Sequence, residues 1–88
     1  MILLISYDLK TPDKNYESLY EAIKNCSTTW WHYLDSMWLI KTSLSPDEVF
    51  NKIHESMDQN DYLFITELLG GYSGWLPSKA WEWIRLNK

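Results

Sequence analysis

The sequence offers almost no sulfur chemistry and no long apolar run. Cys26 is the only cysteine, so no disulfide can form within the chain, and we expect a reducing, cytoplasmic location. No segment approaches the roughly 18 consecutive apolar residues that a membrane-spanning helix needs. The apolar start is short and lacks a basic leader, so it predicts a strand and not a signal peptide. We therefore expect no contact with a membrane.

Basic residues are also scarce. Eight Lys and Arg stand against twelve Asp and Glu, the formal net charge is −4, and Arg85 is the only arginine. Surfaces that follow a phosphate backbone normally cluster Lys and Arg, so the charge disfavours direct binding of nucleic acid. A bound divalent cation would change the local field, which leaves a metal-mediated contact with nucleic acid open.

Aromatic residues, by contrast, are abundant. Six Trp, six Tyr and two Phe make up 16% of the 88 residues. A chain of this length forms one domain, whose interior is too small to hold every ring. Aromatic residues are enriched in the cores of protein interfaces, so we expect a homodimer or a protein partner. The candidate interface residues are Trp30, Trp38, Trp75 and Trp83.

The apolar pattern predicts a ferredoxin-like α+β domain. The predicted elements are a strand over 2–8, a helix ending near 25, two strands within 29–42 or one long strand with a bulge, a helix from Ser45, and a strand over 62–69. The order βαββαβ gives a four-stranded antiparallel sheet with two helices on one face. Residues 1–69 form this core, and residues 70–88 form a glycine-rich loop and a short C-terminal helix. The tail helix and the surplus aromatics are candidates to cover the other face.

Both predicted core helices carry an apolar stripe. In the first, Tyr16, Leu19, Tyr20 and Ile23 recur at helical spacing. The second begins with Ser45-Pro46-Asp47-Glu48, in which Ser is the N-cap and Glu the N3 residue of a capping box. Its predicted buried stripe consists of Val49, Phe50, Ile53 and Met57.

Asp8, the residue on which the first strand ends, is the candidate metal ligand and the candidate catalytic residue. Mg²⁺ prefers oxygen ligands and keeps several waters, so one carboxylate from each subunit across a twofold axis would suffice to hold it. The simpler alternative is that Asp8 accepts hydrogen bonds from turn amides before Pro12. Asp13 and Asp35 are further carboxylates that could join Asp8, although exposure to solvent is the simpler expectation for both.

Two other side chains invite a chemical role. His32 is a candidate general base or RNA contact, but a histidine on the sheet surface or in an interface is the explanation we favour. Cys26 has no paired histidine and no positive surroundings in the sequence, which gives no support to a nucleophile there.

Several short motifs resemble those of the small CRISPR-associated Cas-two proteins and of the related virulence-associated protein D group. They are Tyr7-Asp8 at the end of the first strand, Ser36-Met37-Trp38 in the middle strands, and the capped second helix followed by a strand. The resemblance spans roughly residues 1–69. It implies a ferredoxin-like homodimer in which Asp8 faces its symmetry mate and takes part in binding Mg²⁺ or Mn²⁺.

The resemblance leaves two functions in competition. Some members of the family cleave RNA or DNA with a metal, and others are non-catalytic scaffolds. Tyr7-Asp8 favours a metal-dependent nuclease acting in prokaryotic mobile-element or defence biology. The acidic charge, and Leu34 at a position where the family often has Gln, favour a non-catalytic protein that binds a partner through an acidic, aromatic surface. The segment from Gly70 onward does not match the family's usual C-terminal strand.

Overall fold

The computed structural model describes residues 1–11 and 15–88 of the chain. The strands are β1 (Ile2–Asp8), β2 (Thr29–Trp31), β3 (Met37–Lys41) and β4 (Tyr62–Glu67), and the helices are α1 (Glu17–Asn25), α2 (Pro46–Ile53) and α3 (Ser78–Asn87). A 3-10 helix, His54–Ser56, follows α2 directly. The predicted α+β class with an antiparallel sheet is confirmed. Residues 29–42 form two strands rather than one bulged strand.

The sheet is organised around β1. Its strands lie in the order β2-β3-β1-β4, and each neighbouring pair is antiparallel. Ile5 at the middle of β1 lies opposite Trp38 of β3 on one side and Ile65 of β4 on the other. Successive side chains of a strand point to opposite faces. The nearly continuous apolar run of β1 therefore needs cover on both faces of the sheet.

The first face of the sheet packs against α1 and α2. Leu3, Ile5 and Tyr7 of β1 point to this face and are buried there. Leu19 and Ile23 of α1 pack against them and have no exposed surface, so the stripe predicted for the first helix is confirmed at its centre.

The apolar stripe of α2 is narrower than predicted. Val49 and Ile53 are fully buried against the sheet, but the prediction that Phe50 is buried is wrong, because 43% of its surface is exposed. One residue further along a helix turns the side chain by about 100°, which carries Phe50 off the face that Val49 occupies. Its ring stacks on His54 instead, with 4.8 Å between the ring centroids.

The second face of the sheet is covered in part by α3. Ile84 of α3 is buried against Ile2 of β1 and Leu39 of β3. The half-buried residues packed around these three are Leu4, Trp31, Met37, Leu68, Trp81 and Trp83. The tail helix, one of the two covers that the sequence suggested, thus seals one end of this face. Ser6 and Asp8, further along β1, lie beyond this cluster.

The last strand is shorter than predicted. β4 ends at Glu67, two residues before the predicted end, although the Leu68 amide still donates a hydrogen bond of 2.8 Å to the Ile2 carbonyl. Within residues 1–11 and 15–88, none of the helices has the length and the apolar character to cross a membrane.

The capping box predicted for α2 is present. The Glu48 amide donates to Ser45 Oγ at 3.2 Å, and the Ser45 amide donates to Glu48 Oε1 at 3.0 Å. The hydrogen bond from the Ser45 amide lowers the pKa of Glu48, so the carboxylate stays ionised at neutral pH. Two amides that the first turn would leave without a partner are thereby satisfied, and the start of α2 is fixed.

We expect Ser45→Ala to reduce the free energy of unfolding by about 1 kcal/mol, because the Glu48 amide loses its acceptor. Urea denaturation of the wild type and the variant measures the difference. Ser43→Ala is the matched control, since Ser43 is exposed and lies outside the helix. Equal losses in the two variants would contradict a stabilising role of the capping box.

Candidate functional site

Asp8 borders a shallow depression at the end of β1, which we call the Asp8 depression. Its volume is about 330 Å³ and its lining is Tyr7, Asp8, Leu9, Tyr20, Asp35 and Ser36. The loop between β2 and β3 brings Asp35 and Ser36 beside the end of β1, because the Tyr7 amide donates a hydrogen bond of 3.1 Å to the Ser36 carbonyl. The structure therefore brings Asp8 and Asp35, the two described members of the predicted carboxylate group, to one depression.

The Asp8 carboxylate is exposed and paired with a cation. Its Oδ2 atom lies 2.8 Å from Lys10 Nζ, and both side chains are about half exposed or more. The hydrogen bond to this carboxylate raises the pKa of Lys10, which keeps the ammonium charged. Exposed ion pairs contribute little to stability, so a divalent cation could displace Lys10 at small cost.

A single copy of the chain supplies few metal ligands. Carboxylate oxygens such as those of Asp8 and Asp35 suit Mg²⁺ or Mn²⁺. However, across residues 1–11 and 15–88 no three His, Cys, Asp or Glu side chains come together as a metal site. The third predicted carboxylate, Asp13, lies outside the described residues. The donors fit the ion chemically, and among the described residues only a second copy of the chain could add further protein ligands to them.

Behind the Asp8 depression lies a buried polar contact that fixes its wall. The indole N–H of Trp38 donates to the Tyr7 hydroxyl at 3.0 Å, and that hydroxyl donates to the Asp35 carbonyl oxygen at 3.2 Å. Burial raises the pKa of Tyr7, so the hydroxyl keeps its proton at neutral pH. This chain of donors ties β3, β1 and the loop that carries Asp35 together.

Trp38 itself is a core residue. Only 1% of its surface is exposed, and it packs in the cluster between the sheet and α1 and α2. The prediction that it forms an interface therefore does not fit its position, because no partner can reach a ring that its own chain covers. The sequence could not show whether Trp38 is buried or exposed, because Trp38, Leu39 and Ile40 are three adjacent apolar residues without alternation.

His32, the second candidate catalytic residue, is held by stacking. Its ring lies parallel to that of Trp38, with 3.9 Å between the centroids and 5° between the planes. Its Nδ1 atom lies 2.9 Å from the Met37 carbonyl oxygen, which can only accept, so Nδ1 carries the proton. His32 does not line the Asp8 depression. These contacts fit the expected role on the sheet surface and give no partner for general-base chemistry.

The second face of the sheet carries an apolar groove that sequence analysis missed. Its volume is about 300 Å³, and it lies between the sheet, the β2–β3 loop, the segment after β4 and α3. The lining residues are Leu4, Leu34, Met37, Leu39, Leu68, Tyr72, Ser73, Gly74, Trp75, Leu76, Trp81 and Ile84. None of them carries a charge. The continuous apolar run of β1 and the apolar residues around Gly74 were the available signals, but only the docking of α3 joins them.

Trp75 stands at this groove with 99% of its surface exposed. Tyr72, in the same segment, stacks on Trp81 with 6.5 Å between centroids, and its hydroxyl lies 3.2 Å from Lys88 Nζ. Tyr72 and Trp81 thus hold the segment against α3 while Trp75 projects from it. Of the four predicted interface tryptophans, Trp75 has the most surface to offer a partner.

The remaining two tryptophans lie away from the groove. Trp30 is on the first face of the sheet, 5.1 Å from Trp38 between centroids, with Lys24 Nζ 5.1 Å from its ring. Trp83 is half-buried on α3, and its indole N–H donates to Thr29 Oγ1 at 3.3 Å. The structure therefore does not bring the four predicted interface residues together into one surface.

Cys26 is buried as a free thiol next to α1. Burial raises its pKa, so the thiol stays protonated at neutral pH. The thiolate is the nucleophile in cysteine chemistry, and this environment disfavours it, in agreement with the sequence analysis.

We expect Tyr7→Phe to reduce the free energy of unfolding by about 1–3 kcal/mol, because the buried indole N–H of Trp38 loses its acceptor. Tyr33→Phe removes the same hydroxyl from an exposed ring and is the control, for which a change below about 0.5 kcal/mol is expected. Urea denaturation of both variants checks this. Two equally small changes would show that the Tyr7–Trp38 contact does not stabilise the fold.

Comparison with known family models and curated proteins identifies no relative of this chain. The sequence matches no family model, and no curated protein is significantly similar to it. The Asp8 depression, the apolar groove and the charge of the chain are the features that point to a function.

Proposed function

We propose that this chain is a non-catalytic interaction protein whose apolar groove receives an apolar anchor from a protein partner. The observation that carries the proposal is Trp75, 99% exposed at the rim of a groove without a charged lining residue. Large apolar side chains left in water cost free energy, and burying one recovers about 1.5–3 kcal/mol. Trp is also the residue most often found as a dominant anchor in interfaces.

The charge of the chain defines the partner further. The groove itself is uncharged, while the chain as a whole carries −4. A negative protein attracts positive partners over distance and contacts them through its apolar area. We infer a partner segment with one or two aromatic or branched apolar anchors flanked by Lys or Arg. This proposal keeps the aromatic part of the acidic, aromatic surface expected from the sequence at the groove and assigns the acidic part to the chain as a whole.

The fold proposed for this module is ferredoxin-like. The element order βαββαβ, with the edge-to-edge strand order β2-β3-β1-β4 and α1 and α2 on the first face, supports that assignment. In this arrangement α3 is an addition on the second face. The apolar groove exists only because α3 and the segment before it lie there, which associates the proposed binding function with residues 70–88.

We expect Trp75→Ala to weaken binding of a selected peptide by about 30-fold or more, since dominant anchors contribute about 2 kcal/mol or more. The peptide is selected from a displayed random library on the immobilised wild type, and its dissociation constants are measured by calorimetry. Leu86→Ala is the control, because Leu86 is an exposed apolar residue outside the groove lining. It should bind like the wild type.

The selected sequences test the charge argument in the same experiment. Enrichment of an aromatic or branched anchor next to Lys or Arg is the expected result. A library that yields no enriched peptide, or peptides bound equally well by the wild type and Trp75→Ala, would overturn the interaction proposal.

A second candidate function is a metal-dependent nuclease. Asp8 and Asp35 on one depression favour it, since carboxylates hold the Mg²⁺ or Mn²⁺ ions of nucleic-acid cleavage. The resemblance to Cas-two-like and virulence-associated protein D-like proteins points the same way. In this proposal the chain is a homodimer, and each copy contributes Asp8 to an ion on the twofold axis. His32 has no step in it, because its ring is stacked on Trp38 away from the depression.

We expect Asp8→Asn to abolish cleavage if the chain is such a nuclease, because the neutral amide is a poor ligand for a hard cation. Single-stranded RNA and duplex DNA are incubated with Mg²⁺ or Mn²⁺, and EDTA sets the background. Glu17→Gln, an exposed acid on α1, is the control and should keep the wild-type rate. Cleavage that survives both EDTA and Asp8→Asn, or no cleavage by the wild type, would reject this candidate.

A further inference from the structure

The free edge of β4 presents an ordered row of backbone groups. The Leu68 amide donates to the Ile2 carbonyl, so the N–H and C=O groups of even-numbered residues in this part of the chain point toward β1. Residues of a strand direct these groups to alternate sides. The N–H and C=O groups of Leu63, Ile65 and Glu67 therefore point away from the sheet. No other described strand pairs with them, because β4 ends the order β2-β3-β1-β4.

This edge has few of the features with which proteins usually protect a free strand, and its one charged side chain is Glu67 at the end of β4. β4 contains no Pro and no Lys, and its register with β1 is regular over six residues, without a bulge. The opposite edge, β2, is only three residues long and offers far less to a pairing strand. β4 is thus the one edge of the described sheet suited to extension by another strand.

Exposed apolar rings flank the β4 edge on both sides. On the second face Phe64 is 65% exposed, and Tyr62 beside it is similarly exposed. On the first face lie Phe50 and His54, whose stacked rings line a surface hollow together with Leu63. The exposed position of Phe50, which the helical stripe did not predict, is accounted for if this edge is covered in an assembly.

We propose that β4 pairs antiparallel with β4 of a second copy of this chain, which joins two sheets across a twofold axis. The length of β4 and its charge together select the register, because centring the pair on Ile65 aligns residues 63–67 of both copies. With Ile65 opposite its own symmetry mate, Glu67 lies opposite Leu63 of the other copy, and no like charges meet. A register shifted to put Glu67 opposite itself would bring two carboxylates together, and such pairs are destabilising.

The proposal rests on other residues than the apolar groove does. Of the groove lining only Leu68, which directly follows β4, reaches the paired strands, where it lies opposite Tyr62 of the second copy. The salt dependence of the pairing distinguishes a second, acidic copy from a foreign strand that is basic. Two copies that each carry −4 repel one another, so added salt strengthens their pairing, whereas it weakens the binding of a basic strand.

The test compares Glu67→Pro with Glu67→Thr by sedimentation velocity over a range of concentrations. Both variants remove the same charge, but only proline removes the outward N–H. Because that N–H does not bond to β1, proline at this edge position leaves the ladder of the chain's own sheet intact. We expect the wild type and Glu67→Thr to dimerise, and Glu67→Pro to raise the dimer dissociation constant about tenfold or more.

Hydrogen exchange of the wild type provides a second measurement that needs no variant. The amides of Leu63, Ile65 and Glu67 should become protected as the concentration rises through the dimer range, while those of Phe64 and Thr66, bonded to β1, are protected throughout. A wild type that stays monomeric, or a dimer that Glu67→Pro leaves unchanged and in which the three outward amides exchange freely, would overturn the proposal. The peptide measurement depends on Trp75, and the dimer measurement depends on the outward amides of β4, so the two proposals fail separately.

Discussion

The structure depends on the burial of β1 on both of its faces. β1 pairs with β3 and β4 along its length, and its odd-numbered side chains, Leu3, Ile5 and Tyr7, are buried by α1 and α2. The even-numbered Ile2 and Leu4 need a second cover, which α3 provides through Ile84. A sheet with a bare apolar face would leave a large patch in water, which single soluble chains rarely do. The tail helix α3 is therefore needed to bury the even-numbered apolar residues of β1.

The two candidate sites have different origins. The Asp8 depression lies between the end of β1, the β2–β3 loop and Tyr20 of α1, and no residue of α3 lines it. Where the segment after β4 crosses back to start α3, it leaves the apolar groove and the projecting Trp75. The packing of α1 and the β2–β3 loop around the end of β1 thus determines where the carboxylates are exposed, and the docking of α3 determines where the apolar groove lies.

Local signals in the sequence predicted the helices and strands. Features that depend on long-range contacts, such as the exposure of individual rings, could not be predicted. The start of α2 and the central strand were predictable, because the capping box of Ser45 and Glu48 and the apolar run of β1 each involve residues that are close together in the sequence. The exposure of a ring depends on what folds over it. Trp38 and Trp75 are the same residue type, yet one is 1% and the other 99% exposed, because α1 and α2 cover the first and nothing in the described chain covers the second. The position of Asp8 and Asp35 at one depression likewise depends on the β2–β3 loop folding against β1.

The interface of the proposed β4 dimer cannot also bring two Asp8 carboxylates to one shared metal ion. Asp8 lies beside Tyr62 in the sheet, and in the proposed register Tyr62 lies opposite Leu68 of the second copy, which in turn lies beside Ile2. Three strand spacings of about 4.8 Å separate Asp8 from that Ile2, so the gap across the interface is about 14 Å. The second Asp8 lies a further six residues along its strand, about 20 Å away. No single ion can bridge carboxylates so far apart. If the chain dimerises through β4, any metal held at the Asp8 depression must find its remaining ligands in water, in Asp35 or in a bound nucleic acid, and the twofold-axis mechanism would require a different interface altogether.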